Sequence, residues 1–209
     1  KLTPMEKAFR LCMFDMGGVV VKHSDTSLER LLLRNFGITE YDSFSSLDPR
    51  LPALLAEHSK AAIDEEQMWQ QFSQMTGIVV PTHNDSLWGR YFKPDLDTHV
   101  VAIIGELKEK GYRVVCATNT EEAHFAYHRK AGHYDMFDAV YASLQLHEVK
   151  PERAFFDKIL ELEQVKPEEV LFVDDFSENC EAAANLGLNA VIYADPVELR
   201  WQLAGMEIL

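Results

Sequence analysis

Leu11-Cys12-Met13-Phe14-Asp15-Met16-Gly17-Gly18-Val19-Val20-Val21 sets one carboxylate between two apolar runs, with two glycines close behind it. The first run is short and wholly apolar, the pattern of a strand buried on both faces. Asp15 then falls at the end of that strand, where Gly17 and Gly18 let the backbone turn and let a ligand come close. Open α/β proteins carry their chemistry at the carboxyl ends of central strands.

Downstream of Val21 the texture changes. Residues 24–93 hold amphipathic patterns, among them Ser27 to Arg34 and Ile63 to Phe72, and almost no β-branched runs. The stretch Asp48-Pro49-Arg50-Leu51-Pro52, Gly77 and Pro81 read as breaks between helices. This predicts a small helical subdomain of roughly 70 residues. From Pro94 onward helices and strands alternate. Asp97 to Lys110 is a helix closed by Gly111, and Arg113 to Ala117 a strand. Glu121 to Ala131 is a helix, Ala139 to Ala142 a strand, and Pro151 to Glu163 a helix with proline in its first turn. Val170 to Val173 is a strand, Ser177 to Leu186 a helix ended by Gly187, and Ala190 to Tyr193 the last strand. The expected fold is α/β, a Rossmann-like three-layer core around a parallel sheet. Residues 1–23 and 94–209 form the core, and a helical cap over 24–93 is inserted after the first strand.

Bulk properties narrow the function. The chain has 209 residues, 47% of them hydrophobic, and a formal net charge of -14. That charge argues against nucleic acid and anionic membrane as partners, because both require basic patches. It leaves a locally positive site for a small phosphorylated molecule open. Three cysteines, Cys12, Cys116 and Cys180, lie in apolar or helical stretches and read as buried reduced thiols. No segment is apolar enough to span a membrane, and the start lacks a secretory pattern, so a cytoplasmic location is expected.

Each later strand or the loop after it ends in polar residues. These are Thr118-Asn119, Lys150-Pro151, and Asp174-Asp175 with Asn179 beyond. Asp15, Asp174 and Asp175 converging as bare anions would be strongly disfavoured. A hard divalent cation such as Mg²⁺ is the usual remedy for oxygen ligands. Lys150 adds positive charge, and Thr118 adds a neutral donor. This inventory suits a tetrahedral phosphate beside a carboxylate nucleophile. Asp15 alone is compatible with a turn, and Asp174-Asp175 with capping of the helix from Ser177. The eight histidines show no zinc-like spacing. His124 and His128 lie four apart on one helical face, which leaves a metal pair as an alternative to surface or packing roles, and His23 follows the first motif closely enough to point into the cleft between core and cap as a substitute acid. Trp69, Trp88, Tyr91 and Phe92 read as core of the cap or its hinge.

Phe14-Asp15-Met16-Gly17-Gly18-Val19, Thr118-Asn119, Lys150-Pro151 and Asp174-Asp175 together resemble the four motifs of the haloacid dehalogenase-like hydrolase superfamily. Their order matches over nearly the whole chain. The pattern is similar to sugar-phosphate phosphatases and to the phosphatase domain of soluble epoxide hydrolases. The resemblance implies that Asp15 attacks phosphorus and forms an aspartyl-phosphate. It implies that Gly18, Thr118 and Asn119 hold the phosphate and that Lys150 balances charge. Asp15, the Gly17 carbonyl and Asp175 would bind Mg²⁺, with Asp174 as a further ligand. The substrate would be a small phosphorylated metabolite, in the nearest branches a sugar phosphate.

One position departs from the family. Most of its phosphatases carry a second aspartate two residues after the nucleophile, as general acid and base. Gly17 stands there and moves no proton, although such a group typically supplies about 10²–10⁴-fold. Three readings stay open at this stage: a phosphatase for esters with good leaving groups, a dehalogenase whose Asp15 attacks carbon, and a phosphate-binding protein without turnover.

Overall fold

The computed structural model describes residues 9–22 and 25–209, with Asp25 and Thr26 as backbone only. The proposed role of His23 falls outside the described residues. Five strands form one sheet: β1 (Leu11–Phe14), β2 (Arg113–Thr118), β3 (Ala139–Ala142), β4 (Val170–Asp174) and β5 (Asn189–Ile192). Their order is β3-β2-β1-β4-β5, and every pairing is parallel. β1 is therefore central, with Phe14 in register with Cys116 on one side and Val173 on the other.

Alternation along β1 explains the layers. Cys12 and Phe14 enter one apolar cluster, with Ile103, Ile104 and Leu203. Leu11 and Met13 enter the opposite one, with Phe155, Phe156 and Ile159. Successive strand side chains point to opposite faces, so a strand covered on both faces must be apolar throughout. All four β1 residues are fully buried.

The helices are α1 (Asp25–Asn35), α2 (Phe44–Leu47), α3 (Leu51–Ser59), α4 (Glu65–Thr76) and α5 (Leu87–Arg90) between β1 and β2. Around the sheet lie α6 (Thr98–Glu109), α7 (Glu122–Lys130), α8 (Ser143–Leu146), α9 (Arg153–Glu163), α10 (Ser177–Asn185) and α11 (Pro196–Gly205). Helices α1 to α5 share their own apolar cluster, which includes Leu32, Phe44, Met68, Trp69, Phe72 and Trp88. Trp69 stacks on Trp88 with centroids 5.5 Å apart. The chain leaves and re-enters the core side by side: Asp97 N–H donates to the Val20 carbonyl at 2.8 Å and Lys22 N–H to that of Asp95 at 3.3 Å. Among the described residues no helix is long and apolar enough to cross a membrane. Cys12, Cys116 and Cys180 are buried thiols.

Three sequence expectations change. Residues 48–52 were expected to break helices, yet α3 starts at Leu51 with Pro52 in its first turn. Proline is tolerated there because the first N–H groups of a helix need no intrahelical acceptor. Helix α9 starts at Arg153 rather than Pro151, whose bond to Lys150 is cis. β5 is shifted by one residue, to Asn189–Ile192.

Candidate active site

Three adjacent strands deliver the site. β1 ends before Asp15, while β2 and β4 end in Thr118 and Asp174 on either side of it. Lys150 arrives from the loop before α9. Its ammonium, with 1% of the side chain exposed, lies 2.8 Å from Asp15 Oδ1 and 2.7 Å from Asp174 Oδ2. It also donates to the Ala117 carbonyl at 2.8 Å. Three acceptors thus fill the three donors of one ammonium.

Asp15 Oδ1 also accepts from Met16 N–H at 2.7 Å, so the carboxylate is oriented by its own turn as well as by Lys150. Asp174 is fully buried, and its two oxygens accept from Lys150, from Phe176 N–H and from the Asn179 amide. These contacts tie Asp174 to Lys150 and to the start of α10. Asp175, by contrast, is half-buried and lines the cleft.

The electrostatics are unbalanced. Ligand oxygens of Asp15, Asp174 and Asp175 all lie within 4.8 Å of one another. One ammonium cannot neutralise three carboxylates. Burial pushes the Asp15 carboxyl up to about 8; Lys150 opposes this, and Asp174 and Asp175 add to it. Burial by itself would lower the Lys150 ammonium, but Asp15 and Asp174 outweigh it and hold it above its ordinary range. A hard divalent cation among these oxygens would supply the missing charge, so the donor set fits Mg²⁺.

Gly18 explains how close the elements come. It adopts φ +76, and a Cβ there would sit 2.8 Å from Asp175 Cγ and closer still to one carboxylate oxygen. Gly18→Ala is expected to destabilise the fold by about 1–2 kcal/mol from the left-handed backbone alone and to displace Asp175. Urea midpoints of the two proteins measure this, and an unchanged midpoint would contradict it. Gly17 differs: an added Cβ there meets nothing within 4 Å.

The motif loops are tied from behind. Asn119 Nδ2 donates to the Lys150 carbonyl and Lys150 N–H to Asn119 Oδ1, both at 2.9 Å. The side chain of Asn119 therefore fixes Lys150, which leaves its backbone for a ligand. Ser143, at the start of α8, accepts from Thr120 N–H at 2.9 Å and donates to the Thr120 carbonyl at 3.0 Å. Sequence reasoning passed over Ser143, because a serine after a strand has no distinctive local pattern. His124 stacks on Phe92 with centroids 3.6 Å apart, and its Nε2 lies 3.1 Å from the Trp88 carbonyl. His128 lies 2.9 Å, nitrogen to nitrogen, from His133. Both histidines pack α7 against the end of the helical insert, as their packing reading expected.

Comparison with known proteins follows this geometry. Residues 9–187 match the family model described as haloacid dehalogenase-like hydrolase. The sesquiterpene phosphatase astK of Aspergillus oryzae is 26% identical over 208 residues, covering 94% of this chain and 97% of that protein. A predicted HAD-like family hydrolase from Porphyromonas gingivalis superposes with a TM-score of 0.73 at 21% identity, covering 95% of this chain and 98% of the other. A HAD family enzyme from Bacteroides thetaiotaomicron, solved with magnesium and inorganic phosphate, gives 0.68 at 22% identity over 91% of this chain and 98% of its own.

Proposed function

This chain belongs to the haloacid dehalogenase-like hydrolase family, and within it we propose a Mg²⁺-dependent phosphatase that hydrolyses a small phosphomonoester through Asp15. The observation that carries this reading is the Lys150 ammonium bridging Asp15 and Asp174 beside the third carboxylate, Asp175. A dehalogenation site needs no cation, whereas this acidic cluster has the oxygen donors to hold one. The names of the relatives support the same reaction: one is a phosphatase and another was solved with magnesium and phosphate.

Asp15, the Gly17 carbonyl and Asp175 would hold Mg²⁺, with Asp174 supporting the site from behind Lys150. When bound, the ion offsets the negative charge of phosphate and carboxylates. Thr118, the Asn119 backbone and Gly18 orient the phosphate. An Asp15 oxygen attacks phosphorus, and the bond from phosphorus to the leaving oxygen breaks with its electron pair on that oxygen, which takes a proton from solvent. Water then attacks phosphorus in the aspartyl-phosphate, releasing inorganic phosphate and restoring the carboxylate. Lys150 stays charged throughout and lowers the repulsion between Asp15 and the incoming dianion.

The test is phosphate release from p-nitrophenyl phosphate with and without Mg²⁺, beside chloride release from 2-chloropropionate. Mg²⁺-dependent phosphate release is expected, and chloride release without metal would overturn the reading. Gly17 adds a second expectation. With no acid at that position, rates should fall steeply as the leaving-group pKa rises. Gly17→Asp, whose Cβ would meet nothing within 4 Å, should raise kcat for poor leaving groups by roughly 10²–10⁴-fold. Plots of log kcat/KM against leaving-group pKa for both proteins measure this; parallel plots would contradict it.

A further inference from the structure

The cleft over Asp15 has a volume of about 540 Å³, and its far side is made by α3. That helix turns Leu51, Leu54 and His58 into the interior of the insert. Its other face presents Pro52, Leu55, Ala56 and Ser59 to the cleft. The spacings of three, four and seven residues place these four on one stripe. Met16, Val21, Val149 and Phe176 extend the apolar lining toward the sheet edge.

Several polar groups of the wall are already engaged with the protein. Glu29 accepts from Phe44 N–H at 2.8 Å. The Ser43 hydroxyl accepts from Ser46 N–H and lies 3.1 Å from that of Ser45. Glu152 takes the Lys60 ammonium at 2.8 Å. Lys150 is the only lysine or arginine among the described lining residues, and its three donors are committed at the floor. Away from the phosphate, the charged side chains of the wall are the acids Glu29, Glu152 and Glu178. A second anionic group on the substrate would meet repulsion there, and a polyol would compete with the protein for Glu29, Ser43 and Glu152.

We propose that the cleft selects phosphomonoesters of an uncharged, largely apolar alcohol or phenol, with Leu55 and Ala56 of α3 as the specificity-determining contacts. This rests on the phosphatase reading above. The experiment uses Mg²⁺-loaded enzyme with phenyl, 4-ethylphenyl and 4-butylphenyl phosphates, which vary apolar length at nearly constant leaving-group pKa. Glucose 1-phosphate and p-nitrophenyl phosphate accompany them. We expect kcat/KM to rise about two- to fourfold per added methylene and to exceed that for glucose 1-phosphate. Leu55→Asn should flatten the ratio of 4-butylphenyl to phenyl phosphate, a ratio independent of the amount of folded enzyme. A flat series, a preference for glucose 1-phosphate, or an unchanged ratio in Leu55→Asn overturns the proposal while p-nitrophenyl phosphate turnover preserves the phosphatase reading. Failure to hydrolyse any of the esters overturns both.

Discussion

Asp15→Asn should lower kcat/KM for p-nitrophenyl phosphate on the order of 10⁴–10⁶-fold, the scale seen when a covalent nucleophile is removed. The substitution is nearly isosteric. The amide oxygen can still accept from Met16 N–H and from Lys150, the two contacts that orient Asp15 Oδ1. Because burial already keeps the proton on the Asp15 carboxyl up to about 8, a neutral amide there suits the fold, and the variant should fold about as well as the parent. Loss of activity with a retained melting temperature would therefore report chemistry rather than collapse. A variant within tenfold of the parent would exclude Asp15 as the nucleophile.

Lys150→Met should destabilise the protein by about 3–5 kcal/mol at neutral pH, because it leaves buried Asp15 and Asp174 without their cation. Both carboxyls are at most 7% exposed. Asp15 already holds its proton to about 8 through burial, and loss of the ammonium would push it further in that direction. A carboxyl bound more tightly to its proton in the folded than in the unfolded chain gives stability that is complete at acid pH and falls as pH rises. Urea midpoints for Lys150→Met should accordingly recover toward pH 4 relative to pH 8. Adding Asp174→Asn should restore part of the neutral-pH loss, since it removes one of the stranded charges. Equal midpoints for Lys150→Met and the parent at pH 8 would show that the ion pair contributes nothing.

The site divides into residues that a sequence announces and residues that it hides. Asp15, Thr118 and the Asp174-Asp175 pair each follow an apolar run, and periodicity brings them to one edge; Lys150 lies in a loop, and only the company of the other motifs marks it. Asp174 and Asp175 are adjacent, yet one turns inward to Lys150 and Asn179 while the other faces the cleft. Strand alternation makes such a split natural, but which of the two faces Lys150 depends on where the loop before α9 returns. The Asn119 side chain and Ser143 brace the motif loops through contacts that span 31 and 23 residues. Local patterns carry no trace of partners so distant. Helix α3 was hidden for another reason: its proline lies in the first turn, where proline is permitted, and a short window reads it as a break.

The residue pattern alone carries the parallel sheet and the edge that gathers the candidate site residues. Strands buried on both faces must be apolar throughout, and the polar residues that end them have nowhere else to lie. It also determined that Gly17 carries no acid. Tertiary contacts set the rest: the sharing of Lys150 between Asp15 and Asp174, the room that Gly18 leaves for Asp175, and the closing of the cleft by the face of α3 that carries Pro52, Leu55 and Ala56. The first two depend on where the loops before α9 and after β4 return to the end of β1, and the third on how the inserted helices fold back over the sheet, through the paired crossings at Val20 and Asp97. Such long-range packing is set by the joint fit of many side chains and not by the period of any one segment.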